Sequence, residues 1–186
     1  QQSVISPLPV VLNKNDEQKA LEVAKAMRTA KKPDARPYTL LSLLLTSGIK
    51  KGECLAIHIN HIDIDTPGGP ILFVRYANPT NRYKERKILL TEDWVASYLE
   101  YLAQYEPRDV IFPWSARRLE YLLSDISEAA NLKNHLSFDM CRWTSALRDY
   151  QANVEPETIR QKMGISKIQW REIHMKLRQL AQKQLA

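Results

Sequence analysis

Basic residues are the side chains of this sequence best suited to do chemistry. Lys50 and Lys51 stand side by side, and Arg142 lies in a later segment with a helical pattern. Both residue types bind phosphate oxygens, arginine through a planar fork and lysine as a point charge. On residue type alone, all three are candidates for phosphate contacts. The alternatives are that the lysines are merely solvated and that Arg142 pairs with Asp139, three positions earlier on the same helix face.

A second group of cations lies in and around the connection between two predicted strands. Such a density of positive charge suits a hairpin that follows a nucleic-acid backbone. A polar hairpin without a partner is the alternative. The group consists of Arg75, Arg82, Lys84, Arg86 and Lys87.

Other residues that could bind a metal or cofactor are few. His58 and His61 are three positions apart, but no third ligand stands at a recognisable spacing, so we predict no metal site. Cys54 and Cys141 are far apart in apolar, helix-like settings and are interpreted as reduced, buried thiols. No cofactor is predicted.

Composition favours a nucleic-acid partner without proving one. The 27 basic and 21 acidic residues give a formal net charge of +6. No stretch has the length and apolarity of a membrane span, and the start of the sequence lacks a signal-peptide pattern. We therefore expect no membrane partner. We also expect a cytoplasmic, nucleoid-associated protein. The 186 residues suffice for one domain, 1–186, and the start at Gln1 suggests a fragment of a longer chain.

Helical patterns must position most of these residues. Pro37 suits the first turn of a helix in which residues 40–45 are almost all leucine, which predicts a central, buried helix ending near Gly48. Pro156 and Gly164 bound a later, short helix. Asn15, Thr91 and Ser166 (the last with Gln169) are predicted N-caps.

One β region interrupts the helices. Residues 61–65 alternate in polarity, 67–70 form a turn, and 71–76 and 86–90 are apolar runs. The connection at 77–85 is polar and basic. This pattern predicts three short antiparallel strands in a mainly α domain.

The last helix carries a narrow apolar seam. Its members, Trp170, Ile173, Leu177 and Leu180, recur at the spacing typical of a helix that packs on a partner. We therefore expect a homo-oligomer formed through the C-terminal helix.

Six segments, in order, resemble the tyrosine recombinase (phage integrase) family. LLTSGIKKGECL at 44–55 resembles its leucine-rich helix followed by Thr-Gly-Leu-Arg-x-Ser-Glu-Leu, and HID at 61–63 its Asp-Ile-Asp. KERKILL at 84–90 resembles Lys-x-Arg-x-Val-Pro-Leu, and VIFP at 110–113 its Leu-Phe segment. DMCRWTSA at 139–146 is similar to His-x-Leu-Arg-His-Thr-x-Ala, and MGIS at 163–166 to Leu-Gly-His-Ser.

The resemblance implies the family's catalytic-domain fold, a helical bundle with a small three-stranded antiparallel sheet, without its N-terminal core-binding domain. In the family, two arginines and a histidine hold the scissile phosphate, a hairpin lysine and a second histidine assist, and a tyrosine attacks phosphorus. In this chain the first arginine falls on Lys50, and the hairpin lysine on Asn81, with Arg82 or Lys84 as substitutes. The first histidine falls on Asp139 and the second arginine on Arg142. The second histidine falls on Ile165 and the tyrosine on His174.

These substitutions predict a retained scaffold with lost chemistry. No tyrosine follows Tyr150, so the last helix offers no substitute nucleophile. The expected function is binding of duplex DNA without cleavage. Two alternatives stay open: an active recombinase with a rearranged site, in which His174 or another protomer supplies the nucleophile, and a protein-interaction module that no longer binds DNA.

Overall fold

Helices account for most of residues 7–185, the part of the chain that the computed structural model describes. Eight α-helices and a three-stranded sheet occur within this range, which confirms the predicted fold class. Their order is α1 (Lys14–Met27), α2 (Arg36–Ser47), α3 (Lys51–Leu55), β1 (Ile62–Asp63), β2 (Ile71–Val74), β3 (Arg86–Leu89), α4 (Glu92–Tyr105), α5 (Ala116–Ala129), α6 (Phe138–Gln151), α7 (Pro156–Met163) and α8 (Lys167–Leu185).

Helix α2 lies at the centre of the fold, as predicted. Pro37 occupies its first turn, where an amide hydrogen has no intrahelical acceptor. Its leucines are buried on all sides because α1, α4, α5 and α6 pack around it. The helix ends at Gly48, whose φ of 65° favours glycine and where a Cβ would lie 3.1 Å from Ser145 Oγ. The chain therefore leaves this rigid core immediately before Lys50.

The sheet is antiparallel, with strand order β1-β2-β3. Leu72 pairs with Ile62 on one side and with Ile88 on the other. Leu72 and Ile88 are buried in the core, whereas Phe73 and Lys87 belong to the opposite, outer face. This alternation fixes which of the basic residues can point away from the core.

The strands are shorter than the sequence predicts. The first comprises only Ile62–Asp63, because His61 completes a 3₁₀ turn, Ile59–His61, before the pairing begins. The connection between β2 and β3, which the sequence predicts only to be polar and basic, contains a 3₁₀ helix, Pro79–Lys84.

Two of the predicted N-caps are confirmed. Thr91 Oγ1 accepts a hydrogen bond from the Trp94 amide at 3.1 Å at the start of α4. Before α8, Ser166 Oγ accepts from the Gln169 amide at 3.2 Å, and Gln169 Oε1 accepts from the Ser166 amide at 3.1 Å. This reciprocal pair is a capping box.

The predicted cap of the first helix is wrong by two residues. Asn13, not Asn15, accepts from the Asp16 amide at 2.7 Å, and the helix starts at Lys14. Asparagine is a favoured N-cap residue at either position, so residue type alone does not distinguish Asn13 from Asn15.

The apolar seam of α8 is covered within the same chain. Leu177 and Leu180 are buried with Leu147 and Ile159 in a cluster formed by α6, α7 and α8, and Trp170 packs against its edge. The seam thus has an intramolecular partner, and a homo-oligomer through this helix stays a prediction. None of the described helices combines the length and apolar character needed to cross a bilayer.

Candidate functional site

A cleft of about 400 Å³ gathers cations that lie far apart in the sequence. It opens where α3, α5 and the start of α6 meet. Three basic and two acidic side chains line it, together with a serine and a phenylalanine: Lys50, Lys51, Arg142, Glu120, Asp139, Ser137 and Phe138.

Arg142 forms the floor of the cleft and is 8% exposed. Its Nη1 donates to the Gly48 carbonyl and its Nη2 to the Met163 carbonyl, each at 2.8 Å. These hydrogen bonds go to backbone rather than to Asp139, the alternative partner. Burial lowers the pKa of Arg142 to about 10, which still leaves a cation at neutral pH.

Lys50 stands immediately before α3 and is half-buried. Its amide donates to Glu53 Oε1 at 2.9 Å, which fixes the backbone at this position. Burial lowers the pKa of the Lys50 ammonium, and the charge of Arg142 lowers it further; Glu53 opposes these effects, and Lys84 and Arg86 make smaller contributions that lower the pKa. Cations thus repel one another at this point, and a bound anion would relieve the repulsion.

Lys51 lies at the rim of the cleft. Its Nζ is 3.3 Å from Glu120 Oε1 in a half-exposed ion pair that joins α3 to α5. Pairs this exposed stabilise a fold little, so Lys51 is free to exchange Glu120 for another anion.

Arg86 is used inside the protein. Its guanidinium donates to both carboxylate oxygens of Glu53 and to the carbonyls of Lys84 and Lys162, the latter at 2.7 Å. Tyr76 Oη donates to the same carboxylate. Glu53 and Tyr76 did not stand out in the sequence, because their partners are 23 and 33 positions away.

The other hairpin cations occupy two separate surfaces. Arg82 is exposed and Lys84 half-buried on the 3₁₀ helix, whereas Asn81, at the strict lysine position, is half-buried and uncharged. Arg75 and Lys87 lie on the outer face of the sheet, each 5.4 Å from the centre of the Phe73 ring.

Two arginines from different elements bind the carboxyl end of α7. Arg86 donates to the Lys162 carbonyl and Arg142 to that of Met163. The helix ends as predicted at Gly164, with a φ of 68°. A Cβ at this position would lie 2.7 Å from Cζ of Arg86, so only glycine permits both the conformation and the approach.

The remaining family positions hold groups of other chemistry. Asp139 is exposed in the first turn of α6 and lines the cleft. Ile165 is 4% exposed and belongs to the core cluster under α8. His174 stacks on Trp170 at a centroid distance of 5.0 Å and meets the Tyr150 ring edge-to-face at 5.9 Å.

Neither the histidine pair nor the two cysteines line the cleft. His58 and His61 meet edge-to-face at 5.2 Å, and the His58 amide donates to His61 Nδ1 at 3.2 Å. Residues 7–185 contain no cluster of three or more His, Cys, Asp or Glu side chains placed to hold a metal. Cys54 and Cys141 are buried, and burial raises the pKa of both thiols, that of Cys141 to about 12.

Comparisons with solved structures find tyrosine recombinases. The XerA recombinase superposes with a TM-score of 0.76 at 19% identity, over 97% of this chain and 66% of its own. The XerH site-specific recombinase bound to difH substrate gives 0.75 at 20% identity, over 90% and 50%. The Tn1549 transposon integrase in complex with transposon right-end DNA gives 0.71 at 16% identity, over 96% and 63%.

This chain therefore spans between half and two thirds of the length of these proteins. No curated protein sequence gives a significant match. The sequence model of the phage integrase family matches residues 11–178, a range that takes in the cleft, the sheet and most of α8. On this evidence the chain belongs to the phage integrase family of tyrosine recombinases, whose catalytic-domain fold it shares.

Proposed function

We propose that this domain binds duplex DNA through the cleft and the adjoining hairpin turn, and that it no longer cleaves the DNA it binds. The observation that carries the proposal is the convergence of Lys50, Lys51 and Arg142 on one cleft, with Lys84 near enough for its charge to act on Lys50. The XerH and Tn1549 relatives are bound to DNA in their structures, which supports the same partner here.

The cleft has the composition of a phosphate site. Phosphate oxygens attract ammonium and guanidinium groups, and the buried floor strengthens that attraction over what water would allow. Asp139 and Glu120 oppose it at the walls. The balance suits reversible attachment to a backbone better than the tight clamp that a transition state needs.

Loss of cleavage is supported by the groups at the family's catalytic positions. Lys50 supplies a charge but not the bidentate fork of an arginine. Ile165 carries no proton to give or take. The ring of His174 lies between Trp170 and Tyr150, so it is poorly placed to attack phosphorus. Catalytic groups act as a unit, and losing one typically costs orders of magnitude in rate.

Fluorescence anisotropy of a labelled duplex over a salt series tests the binding half. We expect affinity that falls linearly in log salt, because bound cations release counterions from DNA. Lys50→Gln should weaken binding to all sequences alike and reduce the salt slope by about 1. Lys31→Gln is the matched control, since this exposed lysine lies beyond the opposite end of α2, roughly 18 Å away at 1.5 Å per residue. No binding at low salt would overturn the proposal.

Location and assembly follow from the same proposal. We place the protein in the cytoplasm with the nucleoid, where duplex DNA is its partner. A homo-oligomer through α8 is supported by two apolar side chains that remain exposed on this helix, Ile168 at 80% and Met175 at 55%. Light scattering of the wild type and of Ile168→Lys tests it, and a monomer in both would refute it.

An active recombinase with a rearranged site is the second candidate. It is favoured by Arg142 and Lys84, which keep two of the family's cationic positions occupied near the cleft. Trapping of a covalent protein–DNA adduct on a nicked duplex separates the two candidates.

A further inference from the structure

The turn between β2 and β3 carries a large aromatic side chain in an unusual setting. Tyr83 is 57% exposed and stands between Arg82 and Lys84. An exposed tyrosine among cations adds nothing to the core, and phosphate contacts do not require it. A side chain of this kind suits a partner with both a charged backbone and planar, apolar groups.

The turn that carries Tyr83 is ordered by its own hydrogen bonds. Asn78 Oδ1 accepts from the Thr80 amide at 3.0 Å and starts the 3₁₀ helix. At the far end, Glu85 Oε2 accepts from the Tyr76 amide at 3.0 Å and closes the base of the turn. The ring is therefore presented from a fixed backbone, and ordering it on binding costs little conformational entropy.

Contacts link Tyr83 to the cleft. The Lys84 ammonium lies 5.6 Å from the centre of the Tyr83 ring and 5.6 Å from that of Tyr76. Tyr76 in turn donates to Glu53, which accepts the amide hydrogen of Lys50. Lys84, Tyr76 and Glu53 thus connect Tyr83 to Lys50, one of the proposed phosphate contacts of the cleft.

Two other accessible aromatic rings in residues 7–185 are more engaged with polar groups than Tyr83, which has the Lys84 ammonium 5.6 Å from its ring centre. Phe73 has Arg75 and Lys87 each 5.4 Å from its ring centre. Tyr121 accepts from Arg117 Nε at 2.8 Å, and the same guanidinium lies 5.5 Å from its ring. Tyr83 keeps the largest exposed fraction of the described aromatic residues.

We infer that Tyr83 contacts a nucleobase next to the phosphate bound by the cleft, and so supplies a non-ionic part of the affinity for DNA. The inference rests on the proposed DNA-binding function and extends it. Contact between an aromatic ring and a base is sequence-tolerant, because every base has a π-face, and a ring wedged at a base step also favours deformable sites.

The salt series separates this contact from the ionic ones. Tyr83→Ala should bind at least about fivefold more weakly at every salt concentration, with an unchanged slope of log affinity against log salt. Tyr83→Phe retains the ring and should bind within about twofold of the wild type. Arg82→Gln, the adjacent residue, should instead reduce the slope by about 1.

A spectroscopic readout reports the contact directly. Duplexes that carry one 2-aminopurine, placed at successive positions, should show a fluorescence change on binding that Tyr83→Phe keeps and Tyr83→Ala loses. Leu99→Ala, which truncates a 48%-exposed residue of α4, is the control for removal of surface apolar area. Circular dichroism on heating confirms that each variant is folded.

The outcomes are distinct. If the wild type binds duplex DNA but Tyr83→Ala binds equally well at all salt concentrations, the inference is wrong and the proposed function stands. A reduced salt slope in Tyr83→Ala also contradicts it, since the contact would then be ionic. If the wild type does not bind, the proposed function and this inference fail together.

Discussion

The guanidinium of Arg86 donates to both carboxylate oxygens of Glu53, at 2.5 and 2.9 Å, and the exposed fractions of the two side chains are only 7% and 3%. This buried pair joins β3 to α3, and its carboxylate also accepts the amide hydrogen of Lys50. Removing one member leaves an uncompensated charge in the core.

Single replacement of Arg86 should therefore destabilise the fold. We expect Arg86→Met to lower the free energy of unfolding by about 3–5 kcal/mol, as measured by urea denaturation. The double variant Glu53→Leu with Arg86→Met should recover much of the loss, because neither charge then remains. Equal stability of the wild type and Arg86→Met would contradict this account.

The same pair predicts how stability depends on pH. Burial alone would raise the pKa of Glu53, but the hydrogen bonds and charge of Arg86 outweigh it, and the pKa in the folded state is lowered. Glutamate in an unfolded chain titrates near about 4.3, so this stabilisation is complete above that pH and is lost as the pH falls through the lower, folded-state value. The free energy of unfolding of Glu53→Gln should fall less steeply with decreasing pH than that of the wild type. The same pH dependence in both proteins would exclude Glu53 as the source of the acid destabilisation.

A buried hydroxyl offers a route to a more stable protein. Tyr98 is 3% exposed and stacks on Trp94, and within residues 7–185 its Oη has no hydrogen-bond partner. Tyr98→Phe should leave the free energy of unfolding unchanged or raise it by up to about 1 kcal/mol. Tyr101→Phe is the matched control, since that hydroxyl donates to the Ile111 carbonyl and its loss should destabilise by about 1 kcal/mol. The reverse order of stability would refute the assignment.

Two glycines should respond oppositely to alanine. Gly164 has a φ of 68° and lies against the Arg86 guanidinium, so Gly164→Ala should destabilise by roughly 1–3 kcal/mol. Gly52 lies within α3, and a methyl group added there would meet nothing within 4 Å beyond the adjoining backbone of its own helix. Gly52→Ala should therefore stabilise by roughly 0.5–1 kcal/mol. Thermal unfolding of both variants checks this contrast. If Gly164→Ala proved no less stable than the wild type, the end of α7 would have to rearrange to accept the methyl group.

Covalent trapping decides whether cleavage survives. We expect no protein–DNA adduct on a nicked duplex that releases its cleaved end, in amounts detectable on a denaturing gel beside a tyrosine-bearing recombinase. His174→Phe preserves the stack on Trp170 and should behave as the wild type. An adduct that forms in the wild type and disappears in His174→Phe would establish an active enzyme with a histidine nucleophile.

Local chemistry made much of the fold predictable. The caps at Thr91 and Ser166, the proline that starts α2 and the glycines that end α2 and α7 all act within a few residues of their own position. Their effects can therefore be predicted from a single sequence. The short length of β1 was harder to predict, because the backbone of His61 can form the hydrogen bonds of a 3₁₀ turn as readily as those of a strand.

Long-range partnerships were harder to predict. A run of cations in sequence suggested one basic surface, yet Arg86 turns inward to Glu53 while Arg75 and Lys87 lie on the outer sheet face. Helical spacing likewise predicted the apolar seam at Leu177 and Leu180 but could not say that α6 and α7 cover it. The partner of a side chain depends on topology, which a pattern of spacing does not contain.

The hydrogen bonds of Arg142 bear on how divergent members of this family are recognised. Its loss would leave two carbonyls at helix ends, those of Gly48 and Met163, without their donor inside the core. Selection for folding alone is therefore sufficient to retain this arginine, whether or not strand transfer is also under selection. An inherited active-site arginine is therefore evidence of ancestry, and its presence alone does not establish that a member of this family is an active enzyme.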